Sequence, residues 1–323
     1  MRAVVNLNVA LVMSLTTLEQ PRAKVASRRA GIRGGAPAKI NLTLEVLGRR
    51  DDGYHDLRSL VIGVDLNDRI YCQTSPLPGI SVDCDDHALN HNDNLAVRAA
   101  RALAQRCNRE PHLRIELQKR IPVGSGLGGG SSDAATTLRL CNSLWQTNLD
   151  QAELASIGAD LGSDVPLFFS LPSAVIEGRG ERVSPVGLRW SGWVLLICPP
   201  IPVSTAEVYR AYRPDDSDGC LGETDRNVLE AATAAELSGL LSNHLETAVF
   251  RVCPAVYSLR EALTSLELTS VHVTGSGSAL YCLFDDPQPA LRAANKIQER
   301  WSQVTTVVAA VPVGQGPVFS EEC

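Results

Sequence analysis

A glycine-rich stretch ahead of an alanine-rich segment is the part of the sequence whose residue types point most directly to chemistry. Between Gly124 and Asp133, five of the ten residues are glycine and three are serine. Glycine loses conformational entropy when it is ordered, so such a run indicates that another group must approach the backbone closely. A helix N-terminus offers unpaired N–H groups and a partial positive charge, which favour phosphate. The stretch therefore predicts a cradle for nucleotide phosphates, with a flexible hinge as the alternative.

Three familiar phosphate-binding patterns do not fit this stretch. The Walker A pattern needs a lysine after its last glycine, and Ser131 stands at that place. Gly124, Gly126 and Gly129 match the pattern G-x-G-x-x-G. However, a dinucleotide-binding loop directly follows a strand, and Pro122 interrupts the chain here. The H-R-D and D-F-G motifs of protein kinases are absent from the sequence, so the stretch indicates another class of phosphate loop.

The composition indicates an ordinary globular protein. The 323 residues are 44% hydrophobic and 20% charged, with a formal net charge of −6, and this length suggests two domains or one large one. No run of basic residues stands out beyond residue 34, so a nucleic-acid partner is not indicated. Nine cysteines are scattered without a C-x-x-C pair. They predict neither a zinc site nor a redox motif, but reduced and mostly buried side chains in a cytoplasmic protein.

Residues 1–34 differ from the rest of the chain. Asn6 and Asn8 interrupt the apolar start, which is too short and too polar to span a membrane, and no membrane partner is expected. The segment that follows is basic, and Glu19 is its only acid. A disordered N-terminal extension is the preferred interpretation, with an organelle transit peptide or a signal peptide as alternatives.

Apolar spacing and capping residues predict the elements of a first domain over residues 35–190. Alternating apolar residues predict a half-buried strand over 38–46 and another strand over 112–119. A helix is expected from Asp93 or Asn94 to residue 107, because either side chain can cap it. Two more helices are expected, one from the glycine-rich stretch to about Leu144 and one from Asp150 to Gly162.

A second domain is expected over residues 191–313, followed by a tail over 314–323. It begins with a buried strand over 191–200 and a helix that Ser204 or Thr205 caps. Helical structure is expected up to about residue 269, then two strands around a glycine turn, a helix over 287–301 and a last strand over 304–313. This mixture predicts the α+β fold class.

Three motifs resemble those of the superfamily of galactokinase, homoserine, mevalonate and phosphomevalonate (GHMP) kinases. They are "PAKINLTLEV" near the start, "IPVGSGLGGGSSDAATTL" as the phosphate loop and "VTGSGSALYCLF" near the end. The resemblance covers roughly residues 37–313 and implies an ATP-dependent small-molecule kinase. It implies a two-domain α+β fold, with a ribosomal-protein-S5-like, ATP-binding N-terminal domain and a ferredoxin-like C-terminal domain. The active site would lie in the cleft between them.

The stretch "GRRDDGYHDLRSL" resembles one branch of this superfamily. That branch phosphorylates the 2-hydroxyl of 4-diphosphocytidyl-2-C-methyl-D-erythritol in the non-mevalonate isoprenoid pathway. The segment "LGSDVPLFFS" is similar to one of the same branch. The resemblance therefore implies a small-molecule substrate with a cytidine diphosphate group.

The resemblance gives two charged residues catalytic roles. Asp164 matches the catalytic base, and a turn between Gly162 and Pro166 would hold its carboxylate. Lys39 matches the lysine beside that base, where its charge would favour the ionised carboxylate and the developing alkoxide. Without the resemblance, Asp164 would be interpreted as a turn residue. Lys39 would be interpreted as a solvated residue of a strand.

The resemblance also implies how ATP binds. Asn94 matches a position that contacts the nucleotide, although it is also a good helix cap. A Mg²⁺ ion is expected to accompany ATP, and no metal ligand is assigned, with Asp133 as a candidate only. The phosphate loop would wrap the triphosphate with Pro122, Val123, Gly124, Ser125, Gly126, Leu127, Gly128, Gly129, Gly130, Ser131 and Ser132.

The cytosine ring would be recognised by stacking and by hydrogen bonds to its edge. Tyr54 offers a flat face, and His55 can both donate and accept. Tyr209 matches a second aromatic position, where the family often has phenylalanine, and Tyr212 is an alternative ring. Polar contacts to the erythritol or the phosphates are expected from Asn41 and Thr205.

Two other functions stay open at this stage. One is a kinase of the same superfamily that acts on mevalonate or homoserine, although those acceptors carry no base that Tyr54 could stack on. The other is a catalytically silent relative that binds a nucleotide and regulates a partner, although both Lys39 and Asp164 are present. His244 stands where the family usually has an acid, and it is assigned no role.

Overall fold

The computed structural model describes residues 31–216, 224–266, 268, 270–312 and 319–322. Its strands are β1 (Gly31–Asn41), β2 (Thr43–Arg49), β3 (His55–Thr74), β4 (Gly79–Cys84), β5 (His112–Gln118), β6 (Ser173–Gly178), β7 (Arg182–Pro185), β8 (Trp193–Cys198), β9 (Ser242–Asn243), β10 (His272–Val273), β11 (Leu280–Phe284), β12 (Thr305–Ala310) and β13 (Phe319–Glu322). Its α-helices are α1 (Leu95–Arg106), α2 (Gly129–Trp145), α3 (Gln151–Leu161), α4 (Thr205–Ala211), α5 (Thr224–Glu230), α6 (Ala234–Ser238), α7 (Glu246–Val252), α8 (Pro254–Thr264) and α9 (Pro287–Arg300). Across these ranges, no helix combines the length and the apolar composition that a membrane span requires.

Strand β3 organises the larger sheet. It is 20 residues long and pairs antiparallel with β1, β2, β5 and β6. The remaining strands β4, β7, β9 and β13 extend this sheet to nine strands within the described ranges. Because β1 and β2 both lie beside β3, the sheet fixes the positions of the residues that the first motif supplies.

Helices α1, α2 and α3 cover one face of the larger sheet. Leu103 of α1 and Leu138 of α2 are fully buried in one apolar cluster with Ile70 of β3 and Ile115 of β5. Burial of a leucine or isoleucine side chain stabilises the fold by about 1.5–3 kcal/mol. The helix that follows the glycine-rich stretch is therefore held rigidly against the sheet.

The smaller sheet has four described strands in the order β10-β11-β8-β12, all antiparallel. An apolar cluster lies between the two sheets and takes buried residues from both. It includes Ile40 and Ile62 of the larger sheet and Leu196 and Tyr281 of the smaller one. The two halves of the α+β fold therefore share a core, and the domain boundary near residue 191 stays a prediction.

The start and the end of the described chain differ from the sequence-based expectation. An extension through residue 34 was expected to be disordered, but residues 31–34 belong to β1 and pair with both β3 and β13. Residues 319–322 fell in the expected tail and form β13. Backbone pairing holds both segments, and such pairing needs no apolar side chains. The glycine-rich composition of residues 31–34 therefore gives no sign of a strand.

The strand expected over residues 38–46 is also corrected. The structure breaks it at Leu42, between β1 and β2. It is buried on both faces from Ala38 to Val46, not on one face only. Polar Lys39 and Asn41 are among these buried residues, because the smaller sheet and the glycine-rich stretch cover the second face of this strand.

The helices expected in the first half are confirmed. Asn94 caps α1, and its Oδ1 accepts a hydrogen bond from the N–H of Ala96 at 2.9 Å. Asp150 and Glu153 form a reciprocal capping box at the start of α3. Helix α2 begins at Gly129, inside the glycine run. In this part of the chain, capping side chains and apolar spacing therefore predicted the helix starts correctly.

The helical region expected before residue 269 is only partly helical. Four short helices, α5 to α8, are interrupted by β9, which pairs parallel with β2 at Thr43 and Leu44. A strand of two residues carries no periodic signal in the sequence, because its pairing partner lies far away along the chain. The expected strands and helix after residue 270 are present as β10, β11, α9 and β12.

The expected burial of the cysteines is confirmed for the described residues. Seven described cysteines are free, and five of them are buried. Cys220 and Cys323 lie outside the described residues. In the described chain these side chains therefore act as small apolar core residues.

We expect the stability of the protein to fall as the pH drops from about 6.5 to about 4, through His272. Burial, with a smaller effect of the Arg260 charge, lowers the pKa of His272 to about 4. Between these values the unfolded chain binds a proton at His272 and the folded chain does not, so acid favours unfolding. The loss amounts to roughly 3 kcal/mol.

The measurement is the free energy of unfolding against pH for the wild type and for His272→Phe. The variant keeps an aromatic ring beside Tyr281, which lies 5.5 Å away between ring centroids. Its curve should be flatter than the wild-type curve between these pH values. Parallel curves would show that His272 has an ordinary pKa in the folded protein.

Candidate active site

Two cavities meet at the glycine-rich loop. The larger has a volume of about 1170 Å³ and lies between strands β1 and β2 on one side and helix α4 on the other. The smaller has a volume of about 240 Å³ and lies between the loop and the start of α1. Gly126 and Gly128 line both cavities. A group bound in the smaller cavity can therefore reach the larger one past these two glycines.

The smaller cavity is built from the residues expected to bind a nucleotide. Asn94 and Pro122 to Gly130 line it. Gly124, Gly126 and Gly128 have φ values of 71°, 81° and 74°, which glycine adopts without strain. Three such residues turn the backbone sharply into α2, whose first N–H groups are available to an anion.

Ser131 and Ser132 do not line the smaller cavity, although the sequence predicts that they contact the phosphates. Both are inside helix α2, and neither is among the described residues that line either cavity. Ser132 is fully buried. The backbone from Pro122 to Gly130 lines this cavity, and phosphate binding by Ser131 and Ser132 stays a prediction.

Two glycines of the loop are fixed by close packing. A Cβ atom on Gly126 would lie 2.6 Å from the carbonyl oxygen of Gly277. A Cβ atom on Gly128 would lie 2.9 Å from Cζ of Phe168 and 3.0 Å from Cγ of Lys39. The loop can pass between the smaller sheet and Lys39 only because it has no side chains at these positions.

Lys39 and Asp164 meet at the wall of the larger cavity. Nζ of Lys39 lies 3.8 Å from Oδ2 of Asp164. The backbone N–H of Lys39 donates to the carbonyl oxygen of Leu127 at 3.0 Å, which ties the lysine to the loop. Asp164 lies in the turn between α3 and a 3-10 helix, Pro166–Phe169. Its side chain is 40% exposed, so a substrate hydroxyl can reach it.

Asn41 holds the ammonium group of Lys39. Oδ1 of Asn41 accepts a hydrogen bond from Nζ of Lys39 at 2.8 Å, and Nδ2 donates to Oγ of Ser59 at 2.8 Å. Ser59 in turn donates to the carbonyl oxygen of Thr43. Asn41 was expected to contact the substrate, and it lines the larger cavity. One of its hydrogen bonds holds the lysine, and its contact with a substrate stays a prediction.

Aromatic residues gather in one part of the larger cavity. The rings of His55 and Tyr209 stack, with centroids 5.2 Å apart and planes at 24°. Tyr212 meets His55 edge-on, with centroids 6.2 Å apart. Burial lowers the pKa of His55, so its imidazole is neutral at pH 7 and can both donate and accept. Burial, and then the charge of Asp164, raises the pKa of Tyr209.

Tyr54 lies at the mouth of the same cavity. It is 58% exposed, and the guanidinium of Arg179 lies 5.2 Å from its ring centroid. The ring is thus free to contact a ligand. On the opposite wall, the hydroxyl groups of Thr205 and Ser276 are 2.8 Å apart, which joins helix α4 to the third glycine-rich motif.

Lys119 lines the smaller cavity, and the sequence did not predict this position for it. Its ammonium pairs with two carboxylates, Asp68 and Asp133. Burial raises the pKa of Asp133, and the charge of the neighbouring Asp68 adds to this rise. Lys119 and Asp133 are both lining residues. The only signal was the position of Lys119, shortly before the glycine-rich stretch.

His244 has a structural role. Its Nδ1 accepts a hydrogen bond from the N–H of Val46 at 3.1 Å, and the side chain is buried. The neighbouring Asn243 donates to the carbonyl oxygens of Val273 and Gly275. The segment therefore ties β2 to the third glycine-rich motif.

The family comparisons match both halves of the chain. Residues 94–170 match the GHMP kinases N terminal domain, and residues 225–303 match the GHMP kinases C terminal domain. The first match spans Asn94, the glycine-rich loop and Asp164. The region that supplies the smaller cavity therefore carries the family pattern.

Two curated relatives cover most of the chain. A 4-diphosphocytidyl-2-C-methyl-D-erythritol kinase of Shouchella clausii is 36% identical over 273 residues, which are 84% of this chain and 92% of the relative. A protein of the same name from Citrifermentans bemidjiense is 40% identical over 265 residues, which are 81% of this chain and 92% of the relative.

Solved structures of kinases also resemble this chain. A 4-(cytidine 5'-diphospho)-2C-methyl-D-erythritol kinase matches with a TM-score of 0.74 and 34% identity, over 86% of this chain and 98% of that structure. A homoserine kinase from Cytophaga hutchinsonii has a TM-score of 0.69 at 16% identity, which shows a common fold alone. With curated relatives at 36% and 40% identity over more than four-fifths of its length, the chain belongs to the 4-diphosphocytidyl-2-C-methyl-D-erythritol kinase family, ATP-dependent small-molecule kinases within the GHMP group.

Proposed function

We propose that the protein transfers the γ-phosphate of ATP to the 2-hydroxyl of 4-diphosphocytidyl-2-C-methyl-D-erythritol. The observation that carries this proposal is the junction of two cavities at Gly126 and Gly128, with Lys39 and Asp164 at the wall of the larger one. A triphosphate in the smaller cavity would present its last phosphate at this junction. An acceptor in the larger cavity would present its hydroxyl from the other side, as transfer requires.

Asp164 would accept the proton of the attacking hydroxyl at its exposed carboxylate. General-base assistance of this kind contributes about 10²–10⁴-fold to a rate. Lys39, 3.8 Å from Oδ2 of Asp164, would stabilise the negative charge that develops on the attacking oxygen. Asn41 would orient the ammonium through its Oδ1.

The residues around the smaller cavity fit ATP with Mg²⁺. Oδ1 of Asp133 has no hydrogen-bond partner in the described structure, the residue is buried, and it lines this cavity. Magnesium prefers oxygen ligands and keeps several waters, so one carboxylate oxygen at the phosphate site suits it. When bound, the ion supplies charge neutralisation between the phosphates. The backbone from Pro122 to Gly130 would hold the phosphates, and Asn94 would face the nucleoside.

The aromatic end of the larger cavity fits the cytidine diphosphate group. Tyr54 and Tyr209 offer ring faces to a pyrimidine. His55, neutral at pH 7, can pair with the donor and the acceptor on a cytosine edge. Arg179 lines the same cavity and is placed to meet the diphosphate charge. Thr205, beside Ser276, would contact the polar part of the acceptor.

We expect Tyr54→Ala to weaken acceptor binding with little effect on turnover. Loss of a stacking face on a base costs about 1–3 kcal/mol, so the KM for the acceptor should rise by roughly 5- to 150-fold. The KM for ATP should stay within about twofold, since the ring lies outside the nucleotide cavity. Tyr257→Ala, at a partly exposed tyrosine on α8 outside both cavities, is the matched control. An unchanged acceptor KM would remove Tyr54 from the cytosine site.

The proposed function is tested by coupled measurement of ADP release with ATP and Mg²⁺. Three acceptors are offered in parallel: the cytidyl-methylerythritol, mevalonate and homoserine. We expect release with the first alone. Release with mevalonate or homoserine instead would refute the acceptor and leave the phosphate-loop interpretation intact. ATP binding without release from any acceptor would favour a regulatory relative.

A further inference from the structure

Asn41 is held by two side chains of the smaller sheet region. Its backbone N–H donates to Oγ1 of Thr274 at 2.9 Å, 233 residues away along the chain. Its carbonyl oxygen accepts from the hydroxyl of Tyr281 at 3.0 Å. Thr274 directly follows β10 and Tyr281 lies in β11. Both backbone polar groups of one residue on the larger sheet are therefore fixed from the other half of the molecule.

The directions of the surrounding hydrogen bonds also determine how the side-chain amide of Asn41 is oriented. The hydroxyl proton of Ser59 goes to the carbonyl oxygen of Thr43, so Ser59 accepts from Nδ2 of Asn41. Oδ1 must then point to Nζ of Lys39. The hydroxyl of Thr274 lies 3.4 Å from the same Oδ1 and donates to it. One threonine thus contacts both the backbone and the side chain of Asn41.

Water cannot replace these bonds. Thr274 is fully buried, Tyr281 is 1% exposed and Asn41 is 5% exposed. Burial, with the nearby Glu246 charge, raises the pKa of Tyr281, so the hydroxyl keeps the proton that it donates. A buried peptide group that loses its partner remains unsatisfied, and the local backbone must then shift to find another.

We infer that Thr274 and Tyr281 are positioning residues, which place Asn41 and through it the ammonium of Lys39 beside Asp164. This inference rests on the proposed function, because it assigns Lys39 to the transfer step. A shift of Asn41 would move Oδ1 and release Nζ of Lys39 from its position 3.8 Å from Asp164. It would leave the nucleotide cavity intact, because neither Thr274 nor Tyr281 lines it.

The test compares Thr274→Val with Thr274→Ser. Valine has nearly the shape of threonine but lacks the hydroxyl, while serine keeps it. We expect kcat of the valine variant to fall about tenfold, as for the loss of one buried hydrogen bond. The KM values for ATP and for the acceptor should stay within about twofold. The serine variant should recover most of the lost kcat.

Tyr281→Phe provides an independent second arm, since it removes only the hydroxyl. It should also lower kcat about tenfold with both KM values nearly unchanged. The matched control is Ser173→Ala, which removes another buried hydroxyl that donates to a backbone carbonyl, that of Val186 at 2.7 Å. Ser173 lines neither cavity, so kcat of this control should match the wild type.

The outcomes separate the two proposals. Absence of wild-type turnover with every acceptor refutes the proposed function. Wild-type turnover with unchanged kcat in both Thr274→Val and Tyr281→Phe refutes the positioning role. An equal loss of kcat in Thr274→Val and Thr274→Ser also refutes it, because the hydroxyl would then be irrelevant. Thermal unfolding and ATP-induced stabilisation are measured for each variant, and loss of ATP-induced stabilisation would assign the effect to misfolding instead.

Discussion

We expect Asp164→Asn to lower kcat by about 10²–10⁴-fold, because the amide cannot accept the proton of the attacking hydroxyl. The fold should tolerate the change, since the side chain is 40% exposed and the two groups have the same shape. ATP affinity should stay within about twofold, because Asp164 lines only the larger cavity. Steady-state kinetics and calorimetric titration with ATP separate the two effects.

The matched control for this prediction is Asp160→Asn. Asp160 is exposed on α3, a few residues before Asp164, and it lines neither cavity. It should turn over like the wild type. Near-wild-type turnover of Asp164→Asn would mean that this carboxylate is not the base.

Gly126→Ala should raise the dissociation constant for ATP at least tenfold more than Gly124→Ala does. Both glycines have positive φ, 81° and 71°, so an alanine at either is strained by about 1–2 kcal/mol. Only at Gly126 would the new Cβ meet another atom, the carbonyl oxygen of Gly277 at 2.6 Å. At Gly124 the new Cβ would have no atom of the described chain within 4 Å, apart from those of the glycine and its two neighbours. The loop must therefore move only in the first variant.

Titration of ATP into both variants measures this difference. Thermal unfolding without nucleotide shows whether the variants fold equally well. We also expect lower kcat for Gly126→Ala, because Gly126 lines both cavities. Equal ATP affinities of the two variants would show that the contact with Gly277 does not shape the cradle.

The sequence predicted the glycine-rich turn into α2 and the turn at Asp164 because both depend on local features. Backbone freedom at Gly124, Gly126 and Gly128 is a property of the residue type, and it follows directly from the letters. The turn at Asp164 is likewise marked by neighbouring Gly162 and Pro166. The resemblance then brought Lys39 to Asp164, and the distance of 3.8 Å agrees with that pairing.

Features that depend on distant pairing were not predictable from the sequence. Strand β3 contains Asp65, Asn67 and Asp68, which are typical of turns. Asp68 is nevertheless fully buried, because Lys119 and the N–H groups of Arg120 and Ile121 satisfy its carboxylate. Sequence spacing cannot show such partners, which lie about 50 residues away.

The contacts of Asn41 illustrate the same limit inside the site. Its position in "PAKIN" suggested a substrate contact. The structure instead surrounds it with Lys39, Ser59, Thr274 and Tyr281. Two of these partners are more than 230 residues away, so only the folded chain reveals these contacts.

The apolar cluster shared by the two sheets determines how the protein can come apart. Ile40 and Ile62 from one sheet and Leu196 and Tyr281 from the other are buried against a common core. Neither half can separate without exposing this surface to water, which costs about 25 cal/mol per Å². We therefore expect the two halves to unfold together in a single cooperative transition. A core substitution in either half lowers the temperature at which the whole catalytic centre is lost.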